Sequence, residues 1–133
     1  MYINAYNTIQ YEVNALGSST TALPPGTGVT ITTLPTGIAS PALYYVVAAA
    51  TSTTQVDGVV STRSAVINDK TPGRVVLLNA GLIPIKLNKD TAKDTIVKVT
   101  TSEGKFGEAT TGTRSEAVTM EDGKADDVIW ARP

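Results

Sequence analysis

Two aliphatic runs, Val75 to Leu78 and Leu82 to Leu87, stand on either side of Asn79-Ala80-Gly81. Runs of this kind, broken by an Asn/Gly turn, predict consecutive strands, here a hairpin with a three-residue loop. No other part of the sequence is as apolar or as cleanly punctuated, so the stretch Arg74–Leu87 is expected at the centre of the core. It carries no catalytic side chain, which points away from an enzyme.

The rest of the chain must fold around that centre. At 133 residues it predicts one domain, large enough to bury about two thirds of its unfolded surface. Thr, Val, Ala and Gly are abundant, and β-branched residues keep more rotamer freedom on a pleated surface than on a helix. Turn-forming clusters recur at the spacing of a small β barrel or sandwich. The expectation is an all-β, single-domain barrel or sandwich.

Composition also removes functions. There is no Cys and no His, which excludes disulfides, thiolate nucleophiles, hydrolytic triads and imidazole zinc sites. Eleven basic against twelve acidic residues give a net charge of −1, no field for drawing in nucleic acid or an anionic membrane. The longest nearly apolar run, Ala42 to Ala50, falls far short of the roughly 20 residues of a membrane helix. The N-terminus has neither a basic region nor a long apolar one, so no signal peptide is expected and the chain is read as made in the cytoplasm.

Charge is distributed unevenly. Between Met1 and Val56 the only charged side chain is Glu12, and every Lys and Arg lies from Arg63 onward. A solvated surface normally mixes both signs. Residues 29–56 are therefore either an ordinary surface made polar by Thr, Ser and Asn, or a covered one. For residues 1–28 contact with a partner is the favoured reading. The opening is neither a clean helix nor a clean strand, and it holds three of the five Tyr residues; Tyr offers large contact area with few rotors to freeze. It is either a terminal strand of the domain's own sheet or an arm that orders on another subunit. Gly17 to Gly28 is rich in Gly, Ser, Thr and Pro, an extended connector. The division expected is an N-terminal arm and linker, 1–28, and a β domain, 29–133, with Tyr2, Ile3, Tyr6, Ile9, Tyr11 and Val13 as the partner-contact residues.

Within the β domain, strands are expected at Val29–Leu34, Ala42–Ala50, Val56–Val60, Ser64–Ile67, Thr95–Thr100, Phe106–Ala109, Ser115–Met120 and Val128–Ala131. For Ala42–Ala50 a helix is also conceivable, but Tyr44-Tyr-Val-Val47 between Pro41 and Thr51 favours a buried strand. Ala92–Val99 and Lys124–Ala131 echo one another through Asp-x-(Ile/Val)-(Val/Ile) leading into a strand; one echo does not make a repeat array.

The remaining constellations favour structural readings. Gly26-Thr27-Gly28 lacks the Lys-Ser/Thr of a phosphate loop. Glu121-Asp122 and Asp126-Asp127 are sequence neighbours, which on a strand point to opposite faces, so they read as solvated turn acids. The same segment resembles an oxygen-ligand calcium loop only loosely, with Lys124 inside it and the terminal Glu missing. Lys86, Lys89, Lys93 and Lys98 are interleaved with Asp90 and Asp94, a mixed face rather than a nucleic-acid stripe. Trp130 is expected to plug the core. No catalytic residue, cofactor or metal is expected.

From Val56 onward the order of motifs resembles the small phage head decoration (capsid cement) proteins. The counterparts are Val56-Asp-Gly-Val-Val60, the stretch Val75–Ile85, Lys93-Asp-Thr-Ile-Val97, Glu103-Gly-Lys105, Glu108-Ala-Thr-Thr-Gly112 and Ala125-Asp-Asp-Val-Ile129. The chain departs from the pattern at Lys93 and Ala125, where Gly is usual, and at Ser115-Glu-Ala117. The resemblance covers about the last 75 residues; residues 1–55 match no pattern. It implies a non-enzymatic virion protein on the capsid exterior, often a homotrimer, that clamps neighbouring subunits of the major capsid protein. The alternative is a carbohydrate-binding or adhesin-like β module, for which Tyr44, Tyr45 and Trp130 are a thin aromatic set. Neither reading involves nucleic acid or membrane.

Overall fold

The computed structural model describes residues 2–3, 9–10, 12–33, 44–78, 81–109 and 117–133. They form twelve strands and no helix: β1 (Tyr2–Ile3), β2 (Ile9–Gln10), β3 (Glu12–Gly17), β4 (Gly28–Thr33), β5 (Tyr45–Ala49), β6 (Gly58–Val60), β7 (Gly73–Leu77), β8 (Ile83–Lys86), β9 (Ile96–Val99), β10 (Phe106–Glu108), β11 (Ala117–Thr119) and β12 (Val128–Arg132). The expected all-β class is what the chain adopts. The segment Ser64–Ile67 contributes only a bridge, Ile67 to Leu23.

Strands β3 to β7 close a barrel in the order β3-β5-β4-β6-β7, with β7 returning to β3. Its neighbours are antiparallel except β3 and β5. Ala15, Val29, Val47, Val60, Ile67 and Val75 fill its interior. Strands β8 to β12 form a second sheet, β10-β9-β11-β12-β8. This sheet curls until its edges meet: Leu87, just after β8, bridges Phe106 in parallel, and Asn88 N donates to Phe106 O at 2.8 Å. Closure leaves few free strand edges to aggregate.

The second barrel repeats the first strand for strand. Substituting β8 for β3, and so on to β12 for β7, converts one strand order into the other. The registers coincide as well. Val13 faces Val75 as Ile83 faces Ala131. Val29 sits between Ala49 and Gly58 as Val97 sits between Glu108 and Ala117. The parallel contact Gly17–Val47 recurs as Leu87–Phe106. Loop hydrogen bonds follow: Gly26 N to Val60 O (2.8 Å) recurs as Asp94 N to Thr119 O (2.9 Å), and Ala50 N to Gly28 O as Ala109 N to Ile96 O, both 2.8 Å. The echo visible in the sequence belongs to two turns within the second barrel. The larger repeat spans 12–77 and 83–132.

The barrels do not pair edge to edge. The outer wall of the first closes an open end of the second, so Val59 and Val76 belong to the same apolar cluster as Ile83, Val99 and Phe106. On β6 and β7, Val60 and Val75 point into the first barrel while Val59 and Val76 point into the second cluster; all four are fully buried. Strands covered on both faces read as unbroken aliphatic runs. This corrects the expected central hairpin: β7 pairs with β3 and β6, β8 pairs with β12, and the Asn79–Gly81 segment links two barrels. The expected boundary at residue 28 also shifts, because β3 is a barrel strand and β4 begins at Gly28.

Candidate partner-binding surface

The described ones among the six expected contact residues fall in two different sheets. Tyr2 and Ile3 pair with Gln10 and Ile9 in a two-stranded antiparallel sheet of their own. Tyr6 and Tyr11 lie outside the described residues. Val13 is in β3, half-buried against the first barrel's core. Residues 12–17 thus join the domain's own sheet, while residues 2–3 and 9–10 pair with each other.

Glu12, the sole charge in that region, fastens the junction. Its side chain is 5% exposed and lies 3.5 Å from Arg74 Nη1. Ser61 Oγ, fully buried, donates to Glu12 Oε1 at 2.8 Å. A buried carboxylate is tolerated when its oxygens are satisfied in this way.

A second surface escaped the sequence reading. On β12, Ile129 and Ala131 enter the core, so Val128 and Trp130 face the other side. Trp130 is half-buried on that outer face and does not plug the core as expected. Val118 is cross-strand neighbour to Ile96 and Arg132, while Val128 faces Lys86. Ile96 is 51% and Val128 41% exposed. The outer face of this sheet thus carries Ile96, Val118, Val128 and Trp130 alongside Lys86 and Arg132. The available signal was the alternating pattern, which puts a large aliphatic residue at the solvent position of both β9 and β12. Tyr45 packs on the first barrel's core, so the tyrosines and Trp130 belong to different barrels and form no shared aromatic platform.

The acidic turns are structural. Asp122 Oδ1 accepts from Lys93 N (2.7 Å) and Asp90 Oδ1 from Ala125 N (2.9 Å), while Thr91 and Gly123 bridge between them. Asp127 Oδ2 accepts from Lys124 N within its own turn. Asp126 Oδ1 lies 2.9 Å from Lys105 Nζ. That hydrogen bond, and then the lysine's charge, holds the Asp126 carboxyl below the ordinary carboxylate range, and Asp126 in turn raises Lys105. Among the described residues no group of three His, Cys, Asp or Glu is placed to hold a metal ion.

No family model and no curated protein matches the chain. Among solved structures, the crystal structure of head fiber gp8.5 N base in bacteriophage phi29 is similar, with a TM-score of 0.67 over 92% of this chain and 92% of that one. Sequence identity is 9%, so the likeness is one of fold.

Proposed function

We propose that this chain is a structural protein of a phage head, bound to the outer capsid surface, where it cross-links neighbouring subunits of the major capsid protein as a homotrimer. The observation that carries the proposal is the end-to-end fold likeness to the phi29 head fiber base, together with the order of decoration-protein motifs from Val56 onward. The N-terminal sheet supports it further. Its segment is nearly free of charge and precedes the first barrel strand, and Tyr2, Ile3, Tyr6, Ile9 and Tyr11 are the residues proposed to contact the partner. Val13 serves the barrel. The reading is of a binding protein without catalysis or cofactor: the carboxylates nearest one another are spent on turns and an ion pair.

Each copy would contribute modest contacts at a capsomer junction, and many copies on one shell add through multivalency. Ordering an arm costs conformational entropy, which burial of Tyr and Ile offsets. The test is co-sedimentation with expanded heads of the parent phage that lack the protein. The full chain should pellet saturably. A chain lacking residues 1–10, which keeps β3 and hence the closed barrel, should stay folded and bind more weakly. No association of the full chain overturns the function, and unchanged affinity of the truncated chain overturns the arm.

A further inference from the structure

The two barrels meet along the seam of the second one. There β8 and β10 share only the bridge at Leu87 and Phe106, and the first barrel's Gly26–Gly28 segment spans the gap beside it. Lys86 N donates to Gly26 O at 2.9 Å, and Gly28 N to Gly104 O at 2.8 Å. Leu87 and Phe106 enter the core, so the residues before them, Lys86 and Lys105, stand on the outer face on either side of the seam. They rim a cleft of about 310 Å³ with an apolar lining of Leu23, Pro24 and Ala49. A second hollow of about 130 Å³ shares Thr21, Leu23, Ala49 and Ser102 with the first and continues to Ser18 and Ser19. The two make one groove between the barrels.

The two lysines are not equally matched. Lys105 has Asp126 at 2.9 Å and Glu103 at 3.7 Å. Lys86, half-buried, forms no ion pair among the described residues, although its charge reaches Asp126. An unmatched cation beside an apolar wall suits a carboxylate carried next to an aliphatic group. No aromatic ring is among the residues lining either hollow, so a sugar would find no stacking face.

We infer that this groove receives an extended segment of the coat protein in which an aliphatic residue stands beside an Asp or Glu. The aliphatic side chain covers Leu23, Pro24 and Ala49, and the carboxylate sits at Lys86. A groove running on past the cleft favours a chain over a compact ligand. The arm of another copy does not supply the carboxylate, since residues 1–11 carry no charged side chain. Main-chain hydrogen bonds fix the seam beforehand, so little ordering is lost on binding.

The inference rests on head binding as proposed above, and its test separates the two. In the same co-sedimentation, Lys86→Glu should weaken head binding about tenfold. Lys89→Glu, the same charge change at an exposed site, should leave it unchanged. Heads that take up the parent chain and the Lys86→Glu variant equally overturn the groove and leave the function standing. A second measurement needs no heads and decides the groove whatever they show. In amide NMR of the full chain, N-acetyl-Leu-Glu-amide should shift the Leu23, Ala49 and Lys105 signals, and N-acetyl-Leu-Gln-amide should shift them far less. Equal shifts from the two peptides, or none, overturn the inference. The same shifts from inorganic phosphate alone also overturn it, by reducing the groove to an anion site. Self-association of the parent chain that Lys86→Glu abolishes overturns it too, by giving the groove to a second copy.

Discussion

Asp94 and Asp126 are the non-glycine residues with positive φ among those described, at 64° and 67°. Each follows a position, Lys93 or Ala125, where the decoration-protein pattern usually has Gly, and neither of those two residues has a positive φ. In the first barrel the corresponding position is Gly26, at φ 86°. Asp tolerates the left-handed region where β-branched residues do not. Asp94→Val is therefore expected to lose about 1–2 kcal/mol of stability, and Asp94→Gly to be tolerated, as read from urea unfolding midpoints. At Glu12 the expected effect comes from the partner left behind. Glu12→Ala removes the acceptor of a buried Ser61 hydroxyl and should cost about 1–3 kcal/mol; a loss below the error of the melt would show that the junction is held by strand pairing alone.

At the scale of elements, turns rather than strands carry the polar chemistry. Lys105 ties the turn before β10 to the turn before β12 through Asp126, with Glu103 a longer partner at 3.7 Å. The pair is solvent-exposed, so its effect is local. Asp126 is depressed when folded, so its contribution is present above about pH 4 and is lost as pH falls through its lowered value. Lys105 is raised, so its contribution is full below about pH 10 and is lost as pH rises through its raised value. Lys105→Met should move the Asp126 titration upward, measured by carboxyl NMR shifts, and speed amide exchange in the 124–127 turn. An unmoved titration would remove Lys105 as the cause.

At the scale of the molecule, most strand positions from Val29 onward were legible, Ser64–Ile67 and the barrel strand Glu12–Gly17 excepted, and their partners were not. The runs around Val75 and Ile85 announce strands, yet adjacency across Asn79–Gly81 suggested a hairpin where the chain passes from one barrel to the next. The unbroken Val75-Val76 pair was the clue, because a strand with one solvated face alternates. The duplication stayed hidden because equivalent positions such as Gly17 and Leu87, Val47 and Phe106, or Val60 and Thr119 share little beyond pleat orientation, and loops of different length erase any fixed period. The N-terminal reading stopped at chemistry: charge poverty marks residues 1–28 as a group, while pairing splits them at Glu12. Trp130 was misplaced for the opposite reason, since its size suggests a core that the alternation of β12 denies it.

The central claim is that bound copies hold the head together, and rupture of the head measures it most directly. Heads lacking the protein, with and without saturating amounts added back, would be heated in the presence of a DNA-binding dye. The rupture midpoint should rise with occupancy, and removing residues 1–10 should abolish the rise. Heads that bind the full chain yet rupture at an unchanged temperature would contradict cross-linking as its function.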